Sequence, residues 1–145
     1  MRGAATPSSM HLDIHERVLE DLMQAARDAH PCEACGLLFG TGSEIQTAVP
    51  TANVAADPAR HFEIDPAALI AATRAARQGG PQVVGYFHSH PNGLARPSAT
   101  DAASAARDGK VWVIVARVND GSWGITCWHD GQSGFEALSY TVVAG

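Results

Sequence analysis

The stretch that decides the fold is Val83-Val84-Gly85-Tyr86-Phe87-His88-Ser89-His90-Pro91, near the middle of the chain. Its apolar and aromatic residues predict a strand over residues 82–88. Pro91 cannot donate to a sheet ladder, so it fits the end of that strand. Because residues two apart on a strand leave the same face of a sheet, the two histidines are expected to lie side by side.

The sequence on either side predicts alternating strands and helices. Apolar residues recur at helical spacing over residues 14–29. Asp65-Pro66 opens a second helix that runs to about Arg77, and Ser98 caps a third that runs to about Arg107. The other predicted strands are residues 11–14, 35–39, 44–49, 61–64, 111–118, 123–129 and 135–142. This order predicts a mixed α/β sheet with helices packed on it.

The composition is typical of a globular protein with a single domain. The chain has 145 residues, of which 46% are apolar and 17% charged. We predict a disordered leader over residues 1–10 and one domain over residues 11–145. The net charge of −5 argues against nucleic acid as a partner, and no apolar run approaches the roughly 18 residues that cross a bilayer. The odd set of Cys32, Cys35 and Cys127 favours a reducing, cytoplasmic compartment.

His88, His90 and Asp101 form a candidate metal site. The two imidazoles share a face of the strand, and the helix N-terminus keeps the Asp101 carboxylate ionised. A His-x-His alone is more often two ordinary histidines, and Ser98-x-x-Asp101 alone is more often a helix cap. Their combination is more specific, and it predicts one zinc ion per chain with an open fourth position. A peptidase built on such an ion needs a general base from elsewhere in the chain.

Two sequence blocks resemble the signature of the JAMM metalloproteases, the metal-binding branch of the MPN domains. The blocks are His88-x-His90-Pro91 with Pro97-Ser98-x-x-Asp101, and Pro31-Cys32-Glu33-Ala34-Cys35-Gly36-Leu37-Leu38-x-Gly40. Phe62-x-Ile64-Asp65-Pro66 also resembles the segment that opens the second helix of the family. The chain is similar to the short, stand-alone bacterial members. The resemblance implies an MPN (cytidine-deaminase-like) architecture, with a partly barrel-like β-sheet flanked by helices.

The resemblance also implies roles for five residues. In the family pattern Glu33 is the catalytic acid/base, and Ser98 donates its hydroxyl to the oxyanion of the tetrahedral intermediate. The zinc ligands are His88, His90 and Asp101. The resemblance therefore implies a zinc-dependent peptidase or isopeptidase that cleaves after the C-terminal Gly-Gly of a ubiquitin-like partner. In bacteria such partners are small sulfur-carrier proteins, and the expected leaving group is cysteine or another short adduct. A homodimer is a candidate assembly.

Four other functions stay open at the level of sequence. A closed structural zinc site of Cys32, Cys35, His88 and His90 has enough ligands but leaves Asp101 idle. Pieces of a zinc deaminase signature occur, but their order along the chain is reversed. A redox pair of Cys32 and Cys35 is disfavoured by the residues between them. A non-catalytic MPN binding module is disfavoured because all the ligand residues are present.

Overall fold

The computed structural model describes residues 11–145, and the predicted leader over residues 1–10 lies outside the described residues. The elements are β1 (His11–His15), α1 (Glu16–Ala29), β2 (Cys35–Thr41), β3 (Glu44–Thr51), α2 (Pro66–Arg77), β4 (Gln82–His90), α3 (Ala99–Ser104), β5 (Val111–Arg117), β6 (Trp123–Gly131) and β7 (Gly134–Val143). None of the helices in this part of the chain has the length and apolar character that crossing a bilayer requires.

The strands form one closed barrel in the order β1-β3-β2-β4-β5-β6-β7. The first strand closes it, because β1 pairs in parallel with both β3 and β7. Strands β4 and β5 also pair in parallel. Strand β2 pairs antiparallel with both β3 and β4. The sheet is therefore mixed, and the predicted fold class, a mixed and partly barrel-like sheet flanked by helices, is confirmed.

The core lies between α1 and the barrel. Val18, Leu22 and Ala26 are buried, and their four-residue spacing places them on one face of α1. They belong to one cluster with Ile14 of β1 and Val113 of β5. The second helix differs, because none of the residues of α2 is fully buried. That helix covers β4 loosely and leaves space beside the strand that carries the two histidines.

Two of the predicted elements differ from the structure. The predicted strand over residues 61–64 is wrong, because this segment contributes only one isolated bridge, from Ile64 to Asn53. The third helix ends at Ser104 rather than near Arg107. Arg107 has a φ of 55°, and its backbone N–H donates to a carboxylate oxygen of Asp130 at 2.9 Å. A distant side chain thus captures the backbone that would have continued the helix.

Candidate metal centre and catalytic site

The pairing of β2 with β4 brings Glu33 to the two histidines. Cys35, at the start of β2, is the register partner of His88. Just before β2, the Ala34 backbone N–H donates to Ser89 Oγ at 2.7 Å. The Ser89 backbone N–H donates in return to the Ala34 carbonyl at 3.0 Å. Ser89, the residue between the two histidines, therefore fixes the segment that carries Glu33, a role that the sequence analysis missed.

Three ligand atoms converge at the end of β4. His88 Nε2 lies 3.0 Å from His90 Nε2 and 3.0 Å from Asp101 Oδ2. His90 Nε2 lies 3.2 Å from the same carboxylate oxygen. These separations are close to the roughly 3.3 Å between ligand atoms that each lie about 2.0–2.1 Å from a tetrahedral zinc ion. The three side chains are buried, so the donor atoms face one another rather than bulk solvent.

The tautomer of His90 suits a metal ligand. Its Nδ1 lies 2.7 Å from the Leu94 carbonyl oxygen, which can only accept, so Nδ1 carries the hydrogen. In the neutral ring Nε2 then presents a lone pair. His88 Nε2, His90 Nε2 and Asp101 Oδ2 make three close mutual contacts. One shared proton can form a hydrogen bond between only two of these atoms, whereas one metal cation can bind all three. The donor set therefore fits a divalent metal such as zinc.

Asp101 is fixed by a reciprocal helix cap. Its Oδ2 accepts the Ser98 backbone N–H at 2.9 Å, and the Asp101 backbone N–H donates to Ser98 Oγ at 3.0 Å. The predicted N-cap at Ser98 is thus confirmed, in the form of a capping box. The cap uses Ser98 Oγ as an acceptor, and among residues 11–145 no hydrogen bond uses the hydroxyl hydrogen. That hydrogen is available to a substrate oxygen.

His88 is oriented by aromatic packing. Phe62 stacks on its ring with centroids 4.2 Å apart, and Trp112 meets it edge-on at 5.6 Å. Within the described part of the chain, His88 Nδ1 has no hydrogen-bond partner, so packing and the contacts of Nε2 set the ring plane. No local pattern in the sequence predicts a role for Phe62 at the site. The only sequence signal was its place in the segment that resembles the family.

Glu33 lies beside the imidazoles with its carboxylate buried. One carboxylate oxygen of Glu33 and one ring nitrogen each of His88 and His90 all lie within 4.8 Å of one another. Glu33 is only 6% exposed, and its Oε1 has no partner among the described residues. Burial raises the pKa of Glu33 to about 7, with the His90 charge opposing and the Asp101 charge adding to the rise. This carboxyl group can therefore gain and lose a proton near neutral pH.

The backbone of Glu33 is held at both ends of the residue. Its N–H donates to the Pro58 carbonyl at 2.8 Å, and its carbonyl accepts Asn53 Nδ2 at 3.0 Å. The Asn53 amide also donates to the His61 carbonyl at 3.0 Å. Asn53 thus links the loop after β3 to the glutamate and positions it. No local pattern in the sequence points to Asn53, because its partners are spread over distant segments.

The charges of the three donor residues suit cation binding. Burial alone would raise the pKa of Asp101, but hydrogen bonds with His88 and His90 outweigh it and hold the pKa below its ordinary range. Burial lowers the pKa of His88. The pKa of His90 is raised, because its bonds to Asp101 and Leu94 overcome desolvation. Asp101 is therefore ionised at neutral pH, and His88 is a neutral imidazole with a lone pair to donate.

The structure does not support the closed site with two cysteines. Cys35 Sγ lies 3.6 Å from Thr51 Oγ1 and 3.6 Å from the Ala52 carbonyl oxygen. Over residues 11–145, the cluster of metal-binding side chains around His88 contains no cysteine. Burial raises the pKa of Cys35, which keeps its sulfur in the thiol form that binds metal poorly.

Comparisons with known proteins agree with this geometry. A family model described as prokaryotic homologs of the JAB domain matches residues 15–129. The desampylase of Haloferax volcanii is 34% identical over 108 residues, which cover 73% of this chain and 78% of the relative. A protein named "Probable TtuB-protein conjugate cleaving protease" from Thermus thermophilus is 36% identical over 75 residues, which cover 52% of this chain and 50% of the relative.

A solved structure shows the same architecture. The crystal structure of a JAB1/MPN domain protein from Archaeoglobus fulgidus superposes with a TM-score of 0.57 at 25% identity. The superposition covers 90% of this chain and 99% of that protein. The barrel is therefore the MPN architecture that the sequence resemblance implied.

Proposed function

The chain belongs to the family of prokaryotic homologs of the JAB domain, and on this premise we propose that it is a zinc-dependent peptidase or isopeptidase. The proposed reaction is hydrolysis of the amide bond that follows the C-terminal Gly-Gly of a ubiquitin-like sulfur-carrier protein. The leaving group in this proposal is cysteine or another short extension. The observation that carries the proposal is the buried cluster of Glu33, His88 and His90, which joins a proton acceptor to a metal-binding strand end.

In this proposal His88, His90 and Asp101 hold one zinc ion per chain. Their converging donor atoms, at 3.0 and 3.2 Å, support this set. Asp101 is preferred to Glu33 as the third ligand because its Oδ2 contacts both Nε2 atoms. When bound, zinc in a three-ligand site lowers the pKa of coordinated water to about 7 and polarises a substrate carbonyl.

Glu33 is the proposed general base and acid. It accepts a proton from the attacking water and then delivers that proton to the departing amide nitrogen. A pKa of about 7 lets one carboxyl group perform both transfers at neutral pH. Ser98 is the proposed oxyanion donor, because its hydroxyl hydrogen is not used by the cap that its oxygen accepts.

The names of the relatives support the proposed class of substrate. One relative is a desampylase, and another is named as a protease that cleaves TtuB-protein conjugates. Hydrolysis at the end of a small protein modifier is the reaction that this chain would share with them. Cysteine or a short extension as leaving group is our finer proposal.

We further propose the setting in which the protein works. Its three cysteines are free thiols, which suits a reducing cytoplasm. The net charge of −5 disfavours nucleic acid as a partner.

Pairing of β1 with β7 joins the two ends of the described chain in one barrel, which supports a single domain over residues 11–145. A homodimer stays a proposal about assembly.

Metal analysis combined with a cleavage panel tests the proposed function. The purified protein is analysed for zinc and incubated with sulfur-carrier proteins whose Gly-Gly end is extended by cysteine, by a short peptide or through a lysine side chain. We expect one zinc per chain, release of the extension and complete inhibition by chelator with recovery on zinc addition. Glu33→Gln should keep the zinc and lose turnover, while Glu20→Gln, an exposed change on α1, should behave as wild type. Cleavage that survives chelation would contradict the proposal.

A further inference from the structure

A cavity of about 430 Å³ lies beside the metal centre, between the start of α2 and the strands β4 and β5. Three aromatic residues, Phe62, Tyr86 and Trp112, form much of its wall. Two of them also contact the ring of His88, at centroid distances of 4.2 and 5.6 Å. The cavity and the metal centre therefore share a wall that is one aromatic side chain thick.

Asp130 lines this cavity and is 1% exposed. Its Oδ2 accepts the Arg107 backbone N–H at 2.9 Å, but its Oδ1 has no hydrogen-bond partner among the described residues. The Arg107 guanidinium donates to the Gln132 carbonyl at 2.9 Å instead. No lysine or arginine nitrogen in residues 11–145 lies within 4.0 Å of the Asp130 carboxylate. A buried carboxylate oxygen left without a donor is costly, so Asp130 offers a strong acceptor to a ligand.

The other charged groups of the cavity are also acidic. Glu63 and Asp108 line it and are exposed, so the cavity combines three carboxylates with aromatic walls. Trp112 Nε1 is buried and without a partner in the described part of the chain, which provides one donor for a carbonyl oxygen. An apolar stem with a cationic head matches this lining, because aromatic faces attract cations and cover methylene groups.

We propose that this cavity binds the side chain of an arginine or lysine of the substrate, close to the scissile amide. The aliphatic stem packs against the aromatic wall that Phe62 and Trp112 form, where their rings meet edge to face with centroids 5.9 Å apart, and the cationic head donates to Asp130 Oδ1. A backbone carbonyl of the same segment accepts from Trp112 Nε1. Because the two residues before the cleaved bond are the Gly-Gly of the proposed substrate, the basic residue is the third or a more distant residue before that bond. The inference rests on the proposed function and adds a specificity site to it.

Peptide substrates test the inference directly. The series ends in Gly-Gly-aminomethylcoumarin and carries arginine, its neutral isostere citrulline, or norleucine at each position from three to six residues before the coumarin. At one position we expect arginine to raise kcat/KM at least tenfold over citrulline, mainly through KM. Asp130→Asn should reduce that ratio to about one, while Asp120→Asn, in an exposed turn, should leave it unchanged. Equal rates for arginine and citrulline at every position would overturn the inference.

A binding measurement separates this inference from the proposed reaction. Calorimetry follows the same peptides with a free Gly-Gly carboxylate, bound to the zinc-loaded wild-type protein. At the favoured position we expect the arginine peptide to bind at least tenfold more tightly than the citrulline peptide. That preference in a protein that cleaves nothing would support the cavity and refute the proposed function. Cleavage or binding without the preference refutes the cavity alone. If Asp130→Asn fails to fold, a second variant tests the cavity: the double change of Glu63→Gln and Asp108→Asn at its rim. This double change should lower the preference for arginine over citrulline at least threefold. An unchanged preference would overturn the inference.

Discussion

Glu33→Gln tests the proposed catalytic carboxyl group by removing its charge while keeping its shape. The glutamate is 6% exposed and its Oε1 has no partner among the described residues. Burial raises its pKa from 4.5 to about 7. Glutamine has nearly the same shape and never ionises, so the variant removes both the proton transfers and the buried charge.

The change should stabilise the metal-free protein at alkaline pH. A carboxyl group with a raised pKa in the folded state contributes full stability below pH 4.5, and that contribution is lost as the pH rises to about 7. The pKa difference corresponds to an upper limit of about 3 kcal/mol. The glutamine amide is itself buried with imperfect partners, which costs about 1–2 kcal/mol. We therefore expect the variant to be more stable by about 1–2 kcal/mol at pH 8, and its advantage to shrink towards pH 5.

Urea unfolding in the presence of chelator measures this difference. Wild type and Glu33→Gln are compared between pH 5 and pH 8.5, with Glu20→Gln as an exposed control. His88 and His90 are present in both proteins, and the Glu33 charge is the smallest of the causes that raise the pKa of His90. With zinc restored, the variant should bind one ion and turn over about 10²–10⁴ times more slowly. A stability difference that does not change with pH would refute the buried, raised pKa, and retained turnover would refute the role of Glu33 as base.

Three further changes test the rest of the site. Ser98→Ala should lose about 1 kcal/mol of unfolding free energy in urea unfolding, because the cap is lost. It should also turn over about 10²–10³ times more slowly in kinetic assays. If stability falls and turnover does not, Ser98 is not an oxyanion donor. Asp101→Asn should weaken zinc binding at least tenfold in competition with a chromogenic chelator, and unchanged affinity would remove Asp101 from the ligand set. Asn53→Ala should lower kcat about tenfold without loss of zinc, because the Glu33 backbone loses its bond at 3.0 Å, and an unchanged kcat would show that the loop does not position the base.

Most of the fold could be predicted from local sequence. The spacing of apolar residues locates α1, and Asp65 caps α2 as predicted, since its side chain accepts the Ala67 backbone N–H at 3.0 Å. The failures lie where distant residues intervene. The third helix stops early because Asp130 binds the Arg107 backbone. The segment over residues 61–64 pairs at only one bridge, and Phe62 within it stacks on His88.

The sequence by itself determined which residues can do chemistry. Alternation along β4 places His88 and His90 on one face, and the capping pattern places Asp101 at a helix start, because both relations depend only on the local periods of strand and helix. The tertiary structure decided how these residues meet the rest of the site. Ser89 binds Ala34 from 55 residues away and so brings Glu33 to the imidazoles. The cavity with the unpartnered Asp130 also results from tertiary structure. It depends on the pairing of β5 with β6 and on the loose packing of α2, which the local periodicity of the sequence does not encode.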